Sequence, residues 1–315
     1  MDKVYVVGHK NPDTDSICSA IAYAYFRNKR VERGELKGET IPARQGDINP
    51  ETKFVLEKFG FDVPELITDA TGKKVILVDH SERAQSLDNL EKAEIIAIID
   101  HHKIGDITTP NPIVFIAMPC GCTATILKKL FEICDVEIPP NIAGIMLAAI
   151  LSDTLCFKSV TTTKKDIDAA KELAKIAGID DIEAFAMEMF KAKSDVSGKS
   201  PRELLLRDFK EFNMSGNKVA IAQLELISLD LVKDMKDSFY DEMKKMKDEK
   251  GYHSILLMLT DIMKKGTELL VISDKIEIIE KAFDKKIEGK SVWLDGVMSR
   301  KKQVVPPLEK AFAEM

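Results

Sequence analysis

The sequence predicts an α/β protein: an N-terminal, mostly parallel sheet flanked by helices, followed by a smaller mixed α/β domain. Three observations carry that expectation. Short β-branched runs alternate with amphipathic stretches through the first half. The segment Lys193-Ser194-Asp195-Val196-Ser197-Gly198-Lys199-Ser200-Pro201 loses apolar periodicity and gathers Ser, Gly and Pro, as linkers do. The length, 315 residues, exceeds a comfortable single core. The predicted organisation is a domain over 1–192, a linker over 193–201 and a second domain over 202–315.

In chain order, Met1-Asp2-Lys3 leads directly into a strand over Lys3–Val7, with no charged-then-apolar leader and no cleavage site. A helix from Ser16 to Lys29 places Ile17, Ala20, Ile21, Ala24 and Tyr25 on one face, and Asp15 and Ser16 read as its N-caps. Strands follow at Lys74–Val78, Glu94–Ile99 and Ile113–Ala117. Helices follow at Cys122–Ile133, Asn141–Leu151, Thr163–Ala177 and Ile182–Ala192. Helices on both faces of the sheet are expected. Beyond the linker, Asp208–Met214 and Lys218–Leu226 flank Ser215-Gly216-Asn217 as a hairpin, then come a charged helix over Leu229–Glu249 and strands at Ser254–Leu259, Glu268–Ile272 and Ser291–Leu294.

Composition removes several function classes. Hydrophobic residues at 45% and charged residues at 31% describe a folding chain, not a disordered or fibrous one. A net charge of −6 gives no general attraction to nucleic acid or an anionic membrane, so any bound anion needs a local site. The longest apolar run, Ile142 to Leu151, is well short of the roughly 18 residues a membrane span requires. Five cysteines, Cys18, Cys120, Cys122, Cys134 and Cys156, are odd in number and mostly set in apolar segments, which suits reduced thiols and a cytoplasmic address. Cys120-Gly121-Cys122 lacks the second thiol pair that a structural zinc site would need.

The chemistry concentrates at strand ends, where ligands sit in open α/β sheets. Gly8-His9-Lys10-Asn11-Pro12-Asp13-Thr14-Asp15 leaves the first strand with an imidazole and two carboxylates in one turn, and Pro12 should hold Asn11 extended. Val78-Asp79-His80 and Ile99-Asp100-His101-His102 close two more strands, so four of the five histidines lie in these segments. A cap or turn former explains one such strand end; three converging ends point to metal. Ser152-Asp153-Thr154 adds a carboxylate after a wholly apolar helix, where it needs a cap, solvent or a cation.

Together with Gly121-Cys122-Thr123-Ala124-Thr125 and Ser299-Arg300-Lys301-Lys302-Gln303, these segments resemble, in order, the motifs of family II inorganic pyrophosphatases of the DHH phosphoesterase superfamily, over nearly the whole chain. The resemblance implies an N-terminal DHH domain and a DHHA2-like C-terminal domain. It implies hydrolysis of pyrophosphate to two phosphates by a water or hydroxide activated by two metals in the interdomain cleft. His9, Asp13 and Asp79 would hold one metal and Asp15, Asp79, His101 and Asp153 the other, with Asp79 bridging. His102 would be the leaving-group acid, and Lys210, Arg300 and Lys301 would bind phosphate. It further implies two Mn2+ per subunit, Co2+ as an alternative, Mg2+ arriving with substrate, and a homodimer.

From residue chemistry alone, nitrogen and carboxylate donors without thiolate favour manganese, cobalt or magnesium over a closed zinc site, and Asp100 and His80 suit roles behind the ligands. The regulatory insertion that some members of the family this chain resembles carry after the third motif finds no room between Asp106 and Pro119. Two other readings stand beside this one. An exopolyphosphatase or another DHH phosphoesterase would share the ligands but differ in the second domain. A non-catalytic metal or phosphate-binding protein would need neither His102 nor the basic trio.

Overall fold

The computed structural model describes residues 3–287 and 289–314; Met1, Asp2, Glu288 and Met315 lie outside the described residues, including the first two residues of the expected leaderless start. The chain forms two units, Met1–Ala192 and Lys193–Met315.

The first unit runs β1 (Lys3–Val7), α1 (Thr14–Glu32), β2 (Glu39–Arg44), α2 (Pro50–Phe59), β3 (Glu65–Leu66), β4 (Lys74–Val78), β5 (Glu94–Asp100), β6 (Val114–Ala117), α3 (Thr123–Ile133), α4 (Pro140–Asp153), α5 (Lys164–Ala177) and α6 (Ile182–Lys193). All strand pairs are parallel, in the order β3-β2-β1-β4-β5-β6. The chain leaves β1 towards one edge and later returns to β4 on its other side. The carboxyl ends of β1 and β4 therefore flank the switch point where such sheets open a crevice.

One sheet face packs on helices. α4, buried without interruption from Ile142 to Ser152, lies against α1 and α5, and α1 covers β1 and β2. Tyr5, Val7, Val75, Leu77 and Ile98 point the other way and meet Ala70, Leu87 and Leu90. This corrects the expectation of helices on both faces: between β4 and β5 the chain makes only 3-10 turns, at Arg83–Gln85 and Leu90–Lys92.

Two local expectations also change. Asp13, not Asp15 or Ser16, caps α1, its Oδ1 accepting from Ser16 N at 2.9 Å, so Asp15 lies inside the first turn. Asn11 is left-handed, φ 52°, rather than extended, so the loop reverses sharply ahead of Pro12. Gly8 permits the tight return, because a Cβ there would lie 2.5 Å from Ser16 Cβ. β2, α2 and β3 went unforeseen.

The second unit contains α7 (Pro201–Leu205), β7 (Phe209–Met214), β8 (Asn217–Leu226), α8 (Lys236–Lys250), β9 (Ser254–Asp261), β10 (Gly266–Ser273), α9 (Ile276–Phe283), β11 (Ser291–Asp295) and α10 (Val305–Ala313). Its mixed sheet has the order β11-β10-β9-β8-β7, with β8 and β9 parallel and the other pairs antiparallel. β9 is buried along its length, and its alternating residues feed two cores. Ile255, Leu257 and Leu259 meet Phe239, Met243 and Met246 of α8; Leu256 and Met258 share a cluster with Ile278 of α9 and Leu308 and Phe312 of α10. The hairpin predicted around Ser215-Gly216 is present, while the charged helix starts later, after a 3-10 segment over Leu229–Met235. Among the described residues, no helix is long and apolar enough to cross a membrane.

Candidate metal centre

Four segments deliver the candidate ligands to the carboxyl ends of adjacent strands: the β1–α1 loop (His9, Asp13, Asp15), the residue after β4 (Asp79), the residues after β5 (His101, His102) and the last residue of α4 (Asp153). Asp153 closes α4 rather than following it. Asp79 adopts a left-handed conformation, φ 62°, directly after β4, strain that a packed site must hold in place.

Asp79 is 1% exposed and faces both histidine sets. Its Oδ2 lies 3.4 Å from His9 Nε2, and its Oδ1 lies 3.3 Å from His101 Nε2. His9 Nε2 is also 3.3 Å from Asp13 Oδ2, and His101 Nε2 is 3.7 Å from Asp153 Oδ2. Two ligand clusters result, His9–Asp13–Asp79 and Asp15–Asp79–His101–Asp153, with the donor atoms of each within 4.8 Å of one another. Asp79, His101 and His102 form a third grouping by the same measure.

Backbone and hydroxyl groups orient this set. Thr123 N and Ala124 N, at the start of α3, donate to the two oxygens of Asp15 at 2.6 and 3.2 Å, and Ser19 Oγ donates at 2.7 Å. A helix N-terminus is a favourable place for a carboxylate. Ser16 Oγ and Thr123 Oγ1 donate to Asp79 at 2.9 and 3.2 Å. His101 Nδ1 pairs with Cys120 O at 3.1 Å and His9 Nδ1 with Lys10 O at 2.7 Å, which leaves each Nε2 towards the carboxylates. The buried carboxylate of Asp166 in turn ties down the loop before α3, accepting from Gly121 N and Thr125 Oγ1. Sequence reading missed Ser16, Ser19 and Asp166. For Ser19 a signal existed, since it follows Asp15 by four residues on one helix face, whereas the bond of Ser16 to Asp79 and the place of Asp166 required knowledge of how distant segments pack.

The donor set fits divalent cations. Asp13, Asp15, Asp79 and Asp153 carry a formal −4, and Asp15 and Asp79 are almost wholly buried. Burial first, then the charge of Asp79, pushes the Asp15 carboxyl up to about 6. Crowded buried carboxylates of this kind are costly without positive charge between them. Burial would lower His101, yet hydrogen bonding to Asp79 and the charges of Asp79 and Asp15 override it and raise the imidazolium to about 9. A proton on His101 thus supplies part of the missing charge when cations are removed.

That shift has a sign. A group raised from 6.5 to about 9 on folding stabilises the fold below 6.5 and loses that contribution as pH climbs through 9. We expect the metal-free protein to lose thermal stability between pH 6.5 and 9. Manganese-loaded protein should gain or hold stability over the same window, because metal competes with protons for the ligands. Melting curves with and without chelator check this.

His102 adjoins the ligands, with Nδ1 3.6 Å from Asp79 Oδ1. Its Nδ1 lies 2.9 Å from Asp100 Oδ1, which also accepts the His102 backbone N–H at 3.0 Å. Asp100 is buried, which alone would raise its carboxyl, but the bonds and charge of His102 hold it well below the usual range. His80 behaves differently from a ligand support: burial lowers it to about 4, its Nδ1 pairs with Val78 O, and its Nε2 has no partner among the described residues.

In the second unit, Arg300 opens a π-helical turn over Arg300–Val304 and is 8% exposed. Its Nη1 donates to Asp208 O and Ile221 O, and its Nη2 to Asp208 Oδ1 at 2.5 Å. Ile221 is the cross-strand partner of Lys210, so Arg300 and Lys210 belong to one region, and Lys301 follows Arg300 on an exposed position.

Residues 3–150 match the DHH family N-terminal domain and residues 187–311 the DHHA2 domain. The chain is 61% identical to the probable manganese-dependent inorganic pyrophosphatase of Archaeoglobus fulgidus, over 99% of each sequence. It is 52% identical to the manganese-dependent inorganic pyrophosphatase of Methanocaldococcus jannaschii, covering 98% of this chain and 99% of that one. A crystal structure described as a Methanococcus jannaschii family II inorganic pyrophosphatase superposes with a TM-score of 0.87 at 52% identity, over 98% of this chain and 99% of the other.

Proposed function

Since this chain belongs to the manganese-dependent (family II) inorganic pyrophosphatases, with a DHH domain followed by a DHHA2 domain, we propose that it hydrolyses inorganic pyrophosphate to two phosphates at the centre built around Asp79. The observation that carries this reading is the double engagement of Asp79, one oxygen towards His9 and the other towards His101. The two candidate ligand clusters share Asp79, which suits a pair of ions.

In this reading His9, Asp13 and Asp79 would hold one Mn2+, and Asp15, Asp79, His101 and Asp153 would hold the second. Co2+ is an alternative occupant, and Mg2+ accompanies the substrate. Ions bound there supply Lewis acidity, polarising phosphoryl oxygen and making water a competent nucleophile near neutral pH. The chain's own residues do the rest. The amides of Thr123 and Ala124 keep Asp15 aimed, and Ser16 and Thr123 each donate to one oxygen of Asp79 and so fix the orientation of its carboxylate. Water attacks one phosphorus and the P–O–P bridge breaks. The departing phosphate takes a proton from His102 Nε2, while Asp100 retains the Nδ1 side.

Lys210, Arg300 and Lys301 supply charge to the substrate. Asp208 already engages the Arg300 guanidinium, so the incoming anion replaces or shares a carboxylate, and the fork geometry of Arg suits either oxygen pair.

The test is phosphate release with manganese, measured side by side on pyrophosphate, tripolyphosphate and a dinucleotide. Preference for pyrophosphate is expected. Faster cleavage of either comparator would assign the centre to another DHH phosphoesterase, and bound manganese without turnover on any of the three would assign it to a metal-binding protein.

We further propose a homodimer through β6. That strand ends the first sheet and exposes Val114 at 53% and Phe115 at 42%, an apolar edge that pairs readily with a second copy. Phe115→Lys should shift the sedimenting species from dimer to monomer and leave manganese content unchanged; a dimer that persists would move the interface elsewhere. The five cysteines are free thiols, three of them buried, which supports a reducing, cytoplasmic compartment.

A further inference from the structure

Glu51, the second residue of α2, is a fully buried carboxylate at 0% exposure that no metal-binding role accounts for. A charge in that position is expensive unless several donors surround it. Its Oε2 accepts from Thr14 Oγ1 at 2.9 Å and from Ser152 Oγ at 2.6 Å. Thr14 Oγ1 also lies 3.1 Å from Thr52 Oγ1, the next residue of α2.

The two partners occupy informative places. Thr14 sits between Asp13 and Asp15 at the start of α1, and Ser152 immediately precedes Asp153 in the last turn of α4. One oxygen atom therefore joins the two backbones that carry Asp15 and Asp153. Those carboxylates belong to the same ligand cluster, Asp15–Asp79–His101–Asp153, and contribute two of its four members.

We propose that Glu51 is a positioning residue for this second metal: it fixes the separation of Asp15 and Asp153, so that the site is formed before the ion arrives. The inference rests on the dimetal reading given above. Hydrogen bonds from both hydroxyls need an acceptor, which a glutamine carbonyl also provides. Alanine provides none, and leaves the Thr14 and Ser152 hydroxyls without that partner in the interior. The larger effect should fall on this ion, because Thr14 flanks Asp13 as well as Asp15, whereas the Ser152 bond bears on Asp153 alone.

Manganese titration of metal-free protein, read by calorimetry and by the EPR signature of a coupled Mn2+ pair, tests this on wild type, Glu51→Ala, Glu51→Gln and Ser152→Ala. In Glu51→Ala we expect one of two ions to weaken by about 10–100-fold, the range for partners that orient ligands, with loss of the coupled signal. Glu51→Gln should retain both ions near wild-type affinity, and Ser152→Ala should weaken the same ion in the same direction. The metal-free melting temperature of each variant reports folding separately. Tight binding of both ions by folded Glu51→Ala overturns the proposal and leaves the dimetal reading intact. Equal weakening of both ions overturns it as well, since that marks a general loss of structure. If Glu51→Ala does not fold, Ser152→Ala decides, and unchanged binding there counts against the proposal. Wild type that holds no manganese removes the underlying reading itself.

Discussion

Asp79→Asn should abolish pyrophosphate hydrolysis and weaken both manganese ions. Replacing one carboxylate oxygen by an amide group removes a donor from one cluster outright, because Oδ2 faces His9 and Oδ1 faces His101. It also lowers the formal ligand charge from −4 to −3, which reaches the other ion. Residues that merely orient ligands cost about 10–100-fold in affinity when changed, and loss of a shared ligand should exceed that for the ion deprived of its donor. A second readout separates this from misfolding. Asp79 is buried beside Asp15, whose carboxyl is pushed up first by burial and then by the Asp79 charge. Removing that charge relieves the repulsion with Asp15 but also takes the partner from the His101 imidazolium, so the folding of the metal-free variant is checked by its own melting curve, and the loss of manganese binding is expected in protein that still melts cooperatively. Wild-type turnover in Asp79→Asn would remove Asp79 from the bridge.

His102→Gln should act on the chemical step. Asp100 Oδ1 holds Nδ1 at 2.9 Å and the His102 backbone at 3.0 Å, so the ring orientation is fixed. Loss of a positioned general acid costs about 10²–10⁴-fold in rate, so kcat should fall within that range while KM and manganese affinity change little. The alternative is visible in the same geometry, since Asp79, His101 and His102 also group closely enough to share an ion. Were His102 a ligand, manganese affinity would fall together with kcat.

Much of the first unit could be read from the chain because its chemistry sits where apolar strands stop. Lys74–Val78 and Glu94–Asp100 are runs of buried β-branched and aliphatic residues that end in Asp or His, and the parallel sheet brings those ends side by side. The misses have local causes. β2 carries Pro42 within its run, which reads against a strand interior, yet it sits one strand in from the edge. α2 did announce itself through Asn49 as N-cap and Pro50 in its first turn, a cue passed over because its apolar stripe is short. α10 was hidden by Pro306-Pro307, which looks like a helix breaker but falls in a first turn, where no N–H is needed. The support of the ligands was least legible. That Thr123 and Ala124 hold Asp15, or that Asp166 anchors the loop before them, depends on contacts between residues far apart in sequence, and periodicity says nothing about those. In the second unit Lys210, Arg300 and Lys301 were named through the resemblance alone, and the hold of Asp208 on Arg300 was not legible in the sequence.

The central claim is that one buried carboxylate joins two ions, and anomalous diffraction at the manganese edge from crystals grown with Mn2+ addresses it directly. Two peaks about 3.5–4 Å apart, with Asp79 between them, His9 at one and His101 at the other, are the predicted result. A single peak, or two peaks that share no ligand, would contradict it.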